Sequence, residues 1–359
     1  MDVFLTGATG FIGQPLTRAL LARGWNVTAL VRSPEGAPAR RLAALGARIV
    51  PGDINDRESV RRGMEGANLV VHNAGWYEYG VGRRAAARMH KINAEGTDLV
   101  LGTALEMGRP RTVYVSSVMA YGDSGEDARD ERFVRASPPK SPYEASKAEA
   151  HRVAEAHAAK GLPLIITCPG AVIGTNDHSL WGYFGRLYVN RLLPPMAWAA
   201  DAVQSLVHVD DLAVGIALAA ERGRTGETYI LAAEGRRMRE TLATWSELPG
   251  AHRVRFFVPS WLATAMFAPC APLLRMMGLP AFLSAEAVRA GGMNFNYSAA
   301  KAVRELGWRY RDARAMWHDA LGGEIALLPL RRHEGIVSRL RPSELAPNAG
   351  ERHPPRETP

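Results

Sequence analysis

A short apolar strand pattern, Val3 to Thr6, runs directly into Thr6-Gly7-Ala8-Thr9-Gly10-Phe11-Ile12-Gly13, and a helical pattern follows from Gln14 to Arg23. This order constrains the fold more than any other feature. Glycines at 7, 10 and 13 allow a tight turn and let the backbone approach a pyrophosphate at the first turn of a helix, where N–H groups are unpaired. Glycine triplets also serve ordinary turns, so the flanking strand and helix are what give the motif its weight. The spacing predicts a dinucleotide-binding loop.

The rhythm continues for half the chain. Apolar β-rich runs at Val27–Val31, Ala47–Pro51, Leu69–Asn73, Thr112–Ser116 and Leu164–Cys168 alternate with helical patterns at Ser59–Met64, Ala85–Met107 and Tyr143–Lys160. Near-continuous apolar strands separated by helices predict an α/β fold, a doubly wound parallel sheet covered on both faces. After Gly174 the pattern changes to aromatic, Pro-containing and helical sequence. Residues 1–175 are therefore expected to form the cofactor-binding unit, with strands in 204–235 (Ser205–His208 and Thr228–Leu231) returning to its sheet. Residues 176–203 and 236–328 are expected to form a smaller, mostly helical substrate domain interleaved with it. The Pro-interrupted polar stretch 329–359 is expected to be disordered.

Composition excludes several classes. The 359 residues include 44 Lys+Arg against 36 Asp+Glu, a net charge of +8, but the excess is scattered and forms no nucleic-acid-binding stripe. Two cysteines give no disulfide framework, and no Cys/His cluster has zinc spacing, so no metal is expected. No secretory leader precedes the first strand, and a cytoplasmic protein is expected. The uncharged stretch Phe256 to Leu274 is interrupted by Pro259, Pro269 and Pro272, which a lipid-exposed spanning helix does not tolerate. It reads as an apolar wall of the substrate domain, with membrane-surface contact as the minor alternative.

Three further positions carry chemistry. The second strand ends at Arg32-Ser33, where folds specific for NAD place an acidic residue on the ribose 2′-hydroxyl. A guanidinium there suits a 2′-phosphate, which favours NADP(H) and leaves NAD(H) as the alternative. Downstream, Ser141-Pro142-Tyr143-Glu144 has the form of a capping box. It sets Tyr143 and Lys147 four residues apart on one helix face. An ammonium beside a phenol is expected to lower its pKa and make Tyr143 a proton donor to a carbonyl. Finally, the strand Val113–Val115 delivers Ser116-Ser117 to the sheet's ligand-binding edge, where a hydroxyl can hold a substrate oxygen.

Together these residues make the chain similar to the extended short-chain dehydrogenases/reductases, the NAD-dependent epimerase/dehydratase superfamily, over roughly residues 1–325. The resemblance implies Ser117, Tyr143 and Lys147 as catalytic residues. Asn93, in Asn93-Ala94-Glu95-Gly96-Thr97, resembles the helix Asn that supports their site. It implies cofactor contacts from Gly7, Thr9, Gly10, Phe11, Ile12, Gly13 and Arg32. It adds Asp53 and Ile54 at the adenine, Asn73, Ala74 and Gly75 beneath the cofactor, Tyr143, Lys147, and Pro169. Val31-Arg32-Ser33-Pro34, Gly170–Gly174, Asn296–Ala302 and Glu305–Trp308 resemble the dihydroflavonol-reductase and 3β-hydroxysteroid-dehydrogenase-like branch. Cys168 stands where the family commonly has Arg before Pro169.

The resemblance implies an NADP(H)-dependent oxidoreductase that reduces an aldehyde or ketone of an apolar small molecule, with Tyr143 as proton donor. The alternative is an NAD-dependent nucleotide-sugar epimerase or dehydratase. A carbonyl or alcohol is the expected substrate partner, no nucleic acid is expected, and the protein is expected to be a monomer or homodimer. Trp76, Tyr77, Tyr79, Tyr183, Trp198 and the Phe256–Leu274 wall are the expected lining of the substrate pocket.

Overall fold

A computed structural model describes residues 1–108, 110–193, 195–248, 254–276 and 284–343. Six strands, β1 (Asp2–Thr6), β2 (Asn26–Val31), β3 (Arg48–Pro51), β4 (Leu69–His72), β5 (Arg111–Val115) and β6 (Leu164–Pro169), join Thr228–Leu231 in one sheet. The order is Thr228–Leu231, β6, β5, β4, β1, β2, β3, and every pairing is parallel. Parallel neighbours need crossovers, and helices supply them. These are α1 (Gly13–Leu21), α2 (Ala37–Ala44), α3 (Arg57–Met64), α4 (Arg83–His90) leading into α5 (Gly96–Glu106), and α6 (Pro142–Ala159). Side chains alternate across each strand, so Val3 and Leu5 pack under Leu16 and Leu20, while Phe4 packs with Val60, Met64 and Leu101 on the other face. The strands are apolar throughout because both faces are buried.

Sequence and structure part company at four places. The Ala85–Met107 helix is interrupted by a π-helical turn at Lys91–Glu95. Helix α2, with Pro38 in its first turn, is additional to the predicted elements. Leu206–His208 does not return to the large sheet; among the described residues it pairs only with β7 (Ala171–Ile173). The reason is that β6 already has a partner on each side, β5 and Thr228–Leu231. Finally, the expected loose tail packs as far as Ser343, while 344–359 lie outside the described residues. Arg331 is buried and donates to Glu334 Oε2 (2.8 Å) and to the Arg341 carbonyl (2.9 Å). Leu340 packs on Tyr183 of α7 (Leu180–Val189), and the Leu340 carbonyl accepts from the buried Arg186 (2.8 Å).

The second half builds on α7, α8 (Val209–Arg222) and later helices. Helix α8 covers the same sheet face as α1, through Leu212 and Ile216. Tyr188, Trp245 and Trp317 form the heart of the helical part, with Trp245 and Trp317 edge to face at 4.9 Å. Among the described residues no helix is long and apolar enough to cross a membrane.

Candidate active site

The sheet order places β1 between β2 and β4, so crossovers leave its two sides in opposite directions and a crevice opens at the carboxyl ends of β1 and β4. The loops there are locked together. Gly7 has φ +72°, and a Cβ on it would lie 2.7 Å from the Ala74 amide nitrogen; a Cβ on Gly13 would overlap the Gly7 carbonyl. Thr6 Oγ1 accepts from the Asn73 and Ala74 amides, each at 3.2 Å. Its own proton goes to His72 Nδ1 (2.7 Å), and His72 Nε2 donates to Thr97 Oγ1 (3.0 Å), which in turn donates to the Asn93 carbonyl (2.6 Å). This chain fixes the tautomer. Burial first, and the Lys147 charge second, push His72 down to about 3, so the network stays neutral. Among the described residues Asn73 Oδ1 is buried without a partner. A cradle that only glycine permits, together with this orphaned acceptor, fits a dinucleotide.

Around that crevice, Arg32 stands exposed after β2, in no ion pair among the described residues. Asp53 accepts from the Asn55 amide (2.9 Å), and Ile54 packs partly against the α3–α5 side of the core. Thr9, Phe11 and Ile12 are half-buried in the loop before α1, whereas Gly10 is exposed. Pro169 is the buried last residue of β6.

Tyr143 begins α6. Ser141 caps that helix by accepting from the Glu144 amide (3.1 Å), as the sequence implies. The reciprocal half of the capping box does not form: Glu144 Oε2 accepts from the Lys140 amide (2.7 Å), while Oε1 pairs with Arg135 (2.6 Å). The buried carboxylate takes the cation in preference to the cap. Asn93 sits in the π-helical turn and grips the neighbouring loop, accepting from the Trp76 amide (2.7 Å) and donating to the Trp76 carbonyl and Ser146 Oγ (2.9 Å each). Ser146 donates to the Tyr143 carbonyl (2.8 Å). A Cβ on Gly75 would lie 3.4 Å from Asn93 Oδ1 and 3.6 Å from Lys147 Nζ, so these groups meet at one point.

Ser117 lies two residues beyond β5 and accepts from the Met119 amide (3.2 Å), and its hydroxyl favours the ionised form of the Tyr143 phenol. The electrostatics correct one expectation. Burial drives the Tyr143 phenol well above the ordinary range, and the counteracting influence is the Ser117 hydroxyl, not the Lys147 charge. Lys147 is itself pushed down to about 8 by burial. Cys168, buried nearby and pushed up to about 12 by burial, stays a thiol.

The sequence does not foretell how Tyr77 and Tyr79 sit. Both rings stand edge-on to Tyr143, at 4.8 and 6.0 Å, in a cluster with Trp76, Met89 and Ala287. His151, four residues after Lys147, bonds Ser116 Oγ (2.9 Å); its i+4 spacing was the available signal. Three expected parts of the lining lie elsewhere: Tyr183 packs on Leu340, Trp198 lies between Phe184 and Phe267, and the Phe256–Leu274 wall leaves Phe256, Trp261 and Leu273 exposed, outside the Tyr143 cluster. His208, Asp210 and Asp319 bring ligand atoms within 4.8 Å of one another, but Arg18 and Arg311 already neutralise the two carboxylates.

A model of the NAD dependent epimerase/dehydratase family matches residues 3–232, spanning the glycine loop, the Tyr143 helix and the large sheet. The chain belongs to that family. Known proteins similar to it include the putative dihydroflavonol 4-reductase of a Synechocystis species, 32% identical over 310 residues that cover 85% of this chain and 89% of the relative. Another is the 4-hydroxy-2-methyl-3-oxo-4-farnesyl-3,4-dihydroquinoline-1-oxide ketoreductase of Stigmatella aurantiaca, 32% identical over 64% of this chain and 68% of its own length. Among solved structures, DesIV, the dTDP-glucose 4,6-dehydratase of Streptomyces venezuelae with NAD and TYD bound, superposes with a TM-score of 0.71. It is 26% identical and covers 93% of this chain and 98% of its own. This family member is accordingly an NAD(P)-dependent enzyme of the extended short-chain dehydrogenase/reductase type.

Proposed function

We propose that the protein is an NADP(H)-dependent reductase acting on an aldehyde or ketone of an apolar small molecule. The observation that carries this reading is Tyr143: a buried phenol at the start of α6, ringed by Tyr77, Tyr79, Met89 and Ala287, on which the Ser117 hydroxyl acts. Burial keeps the phenol neutral across the ordinary pH range. A neutral phenol can give a proton to an oxygen that is becoming an alkoxide, and the same group takes that proton back in the reverse direction. The Ser117 hydroxyl orients that oxygen beside Tyr143. Lys147 holds positive charge below about pH 8 next to Gly75 and Asn93. Asn93 positions the Trp76 loop and, through Ser146, the first turn of α6.

The nicotinamide supplies the hydride when bound. The residues that would hold the dinucleotide are Gly7, Thr9, Gly10, Phe11, Ile12 and Gly13 at the diphosphate. Asn73, Ala74 and Gly75 would lie beneath it, Asp53 and Ile54 at the adenine, Arg32 at a 2′-phosphate, and Pro169 and Lys147 at the nicotinamide half. The apolar aromatic surround, and relatives named as a dihydroflavonol reductase and a farnesylated quinoline ketoreductase, support an apolar substrate.

A panel of aromatic and isoprenoid carbonyls, followed by loss of NADPH absorbance, tests the reading. Tyr143→Phe is expected to lose at least about a hundredfold in kcat while binding NADPH as the parent does. Full turnover in that variant would overturn the mechanism. A purified protein that retains NAD and converts a nucleotide sugar without net redox change would establish the dehydratase or epimerase chemistry instead.

A further inference from the structure

Between Glu247 and Glu286 the sequence has no acidic residue, while His252, Arg253, Arg255 and Arg275 fall within that interval. Its described part folds as a strand, Phe256–Val258, and two short helices, Ser260–Phe267 and Cys270–Met276. One side faces the protein. Ala263 is fully buried, and the Phe267 ring packs 5.5 Å from Trp198, whose indole donates to the Val288 carbonyl (3.2 Å). Its exposed side chains are unlike those of a soluble surface: Trp261 is 71% exposed, Leu273 58%, Met276 85% and Phe256 51%. Single exposed apolar side chains are ordinary, but this many large ones along one segment mark an interaction surface. Arg255 and Arg289 flank it, both exposed and in no ion pair among the described residues.

We propose that this segment docks the enzyme onto an anionic lipid bilayer. Charge selects the occupant: an apolar face with basic neighbours and no carboxylate over its whole length complements anionic headgroups above acyl chains. Pro259 and Pro269 stand at the breaks between strand and helices, so the segment lies along the interface and does not cross it. The exposed indole of Trp261 suits the headgroup boundary, with an apolar body and one polar N–H. The placement also gives the docking a use. Helix Ala285–Gly291 packs between this segment and the site, and its Ala287 and Ala290 belong to the cluster around Tyr79 and Tyr143. One helical layer thus separates the lipid-facing surface from the proposed proton donor, a short path for an apolar carbonyl dissolved in lipid. Docking itself does not depend on which carbonyl is reduced.

Flotation of the full chain with phosphatidylcholine vesicles, with and without about one-third phosphatidylglycerol, reads the binding without any turnover. The protein is expected to float with the anionic vesicles, to stay behind with the neutral ones, and to be released by high salt. Trp261→Ser/Leu273→Ser and Arg255→Glu/Arg289→Glu are each expected to lower the bound fraction by about tenfold. Because all four side chains are exposed, both variants should keep the parent circular dichroism, melting temperature and turnover of a water-soluble carbonyl. Failure of the parent to float with anionic vesicles, or parent-like flotation of Trp261→Ser/Leu273→Ser, overturns the proposal. So does a dimer in sedimentation velocity that the same double variant disperses while no vesicle binding is seen.

Discussion

Lys147 is an ammonium kept where its charge is disfavoured. Its pKa falls from the ordinary lysine value of 10.5 to about 8 because it is buried with no carboxylate partner among the described residues. The unfolded chain therefore holds more protons than the folded one between pH 8 and 10.5, and the folded state gains stability as pH rises through that window. Lys147→Met should abolish turnover and yet stabilise the cofactor-free protein at pH 7 by up to about 3 kcal/mol, read by urea denaturation. A variant less stable than the parent would remove the claim that this site carries charge strain. At Arg32 the expectation is a change of cofactor. Arg32→Asp should lower kcat/KM for NADPH at least about tenfold relative to NADH, since a charge-assisted fork to a phosphate is replaced by repulsion. The positions of both residues were legible from sequence because each depends on local order, a strand end in one case and an i, i+4 helix spacing in the other. The direction of the Tyr143 shift was not legible, because burial by Tyr77 and Tyr79 outweighs a neighbouring charge and depends on a loop more than sixty residues away.

Helix α6 owes its start to three interactions that the sequence only partly announces. The Ser141 cap follows from residue type, and Ser141→Ala should cost about 1 kcal/mol. The fate of Glu144 does not follow, because Arg135 arrives from a loop whose course no periodicity describes. That guanidinium also donates to the Ala120 carbonyl (3.0 Å), tying the residues after Ser117 to the start of α6. Arg135→Met should leave a buried carboxylate unpaired, cost about 3–5 kcal/mol in thermal unfolding and lower kcat. Glu144→Gln/Arg135→Met should recover much of the lost stability, because no unpaired charge remains. Strands and long helices were readable because apolar periodicity reports burial directly. The π-helical turn was hidden, because one surplus residue leaves the polar and apolar order almost unchanged.

At the scale of the whole molecule, the tail and the helical half are one body. Arg186 is buried in α7, pairs with Glu324 (3.2 Å) and donates to the Leu340 carbonyl, and Asn176 donates to the Ser343 carbonyl (2.8 Å). A chain ending at Leu328 should unfold at lower temperature, by a deficit of about 2–4 kcal/mol, because those buried donors lose their acceptors. Unchanged melting of the shortened chain would show that the tail merely rests on the surface. The long helix that runs from α4 to α5 serves both halves differently: Met89 points to the Tyr143 cluster, whereas Val100 and Leu101 point to the sheet. The surplus residue in Lys91–Glu95 makes this double service compatible, since it advances the phase by about 100° between the two stretches. Loss of one residue there would leave the sheet contacts intact and swing Met89 off the aromatic cluster. In this lineage, then, the shape of the pocket can change by the length of the chain as well as by the identity of its side chains.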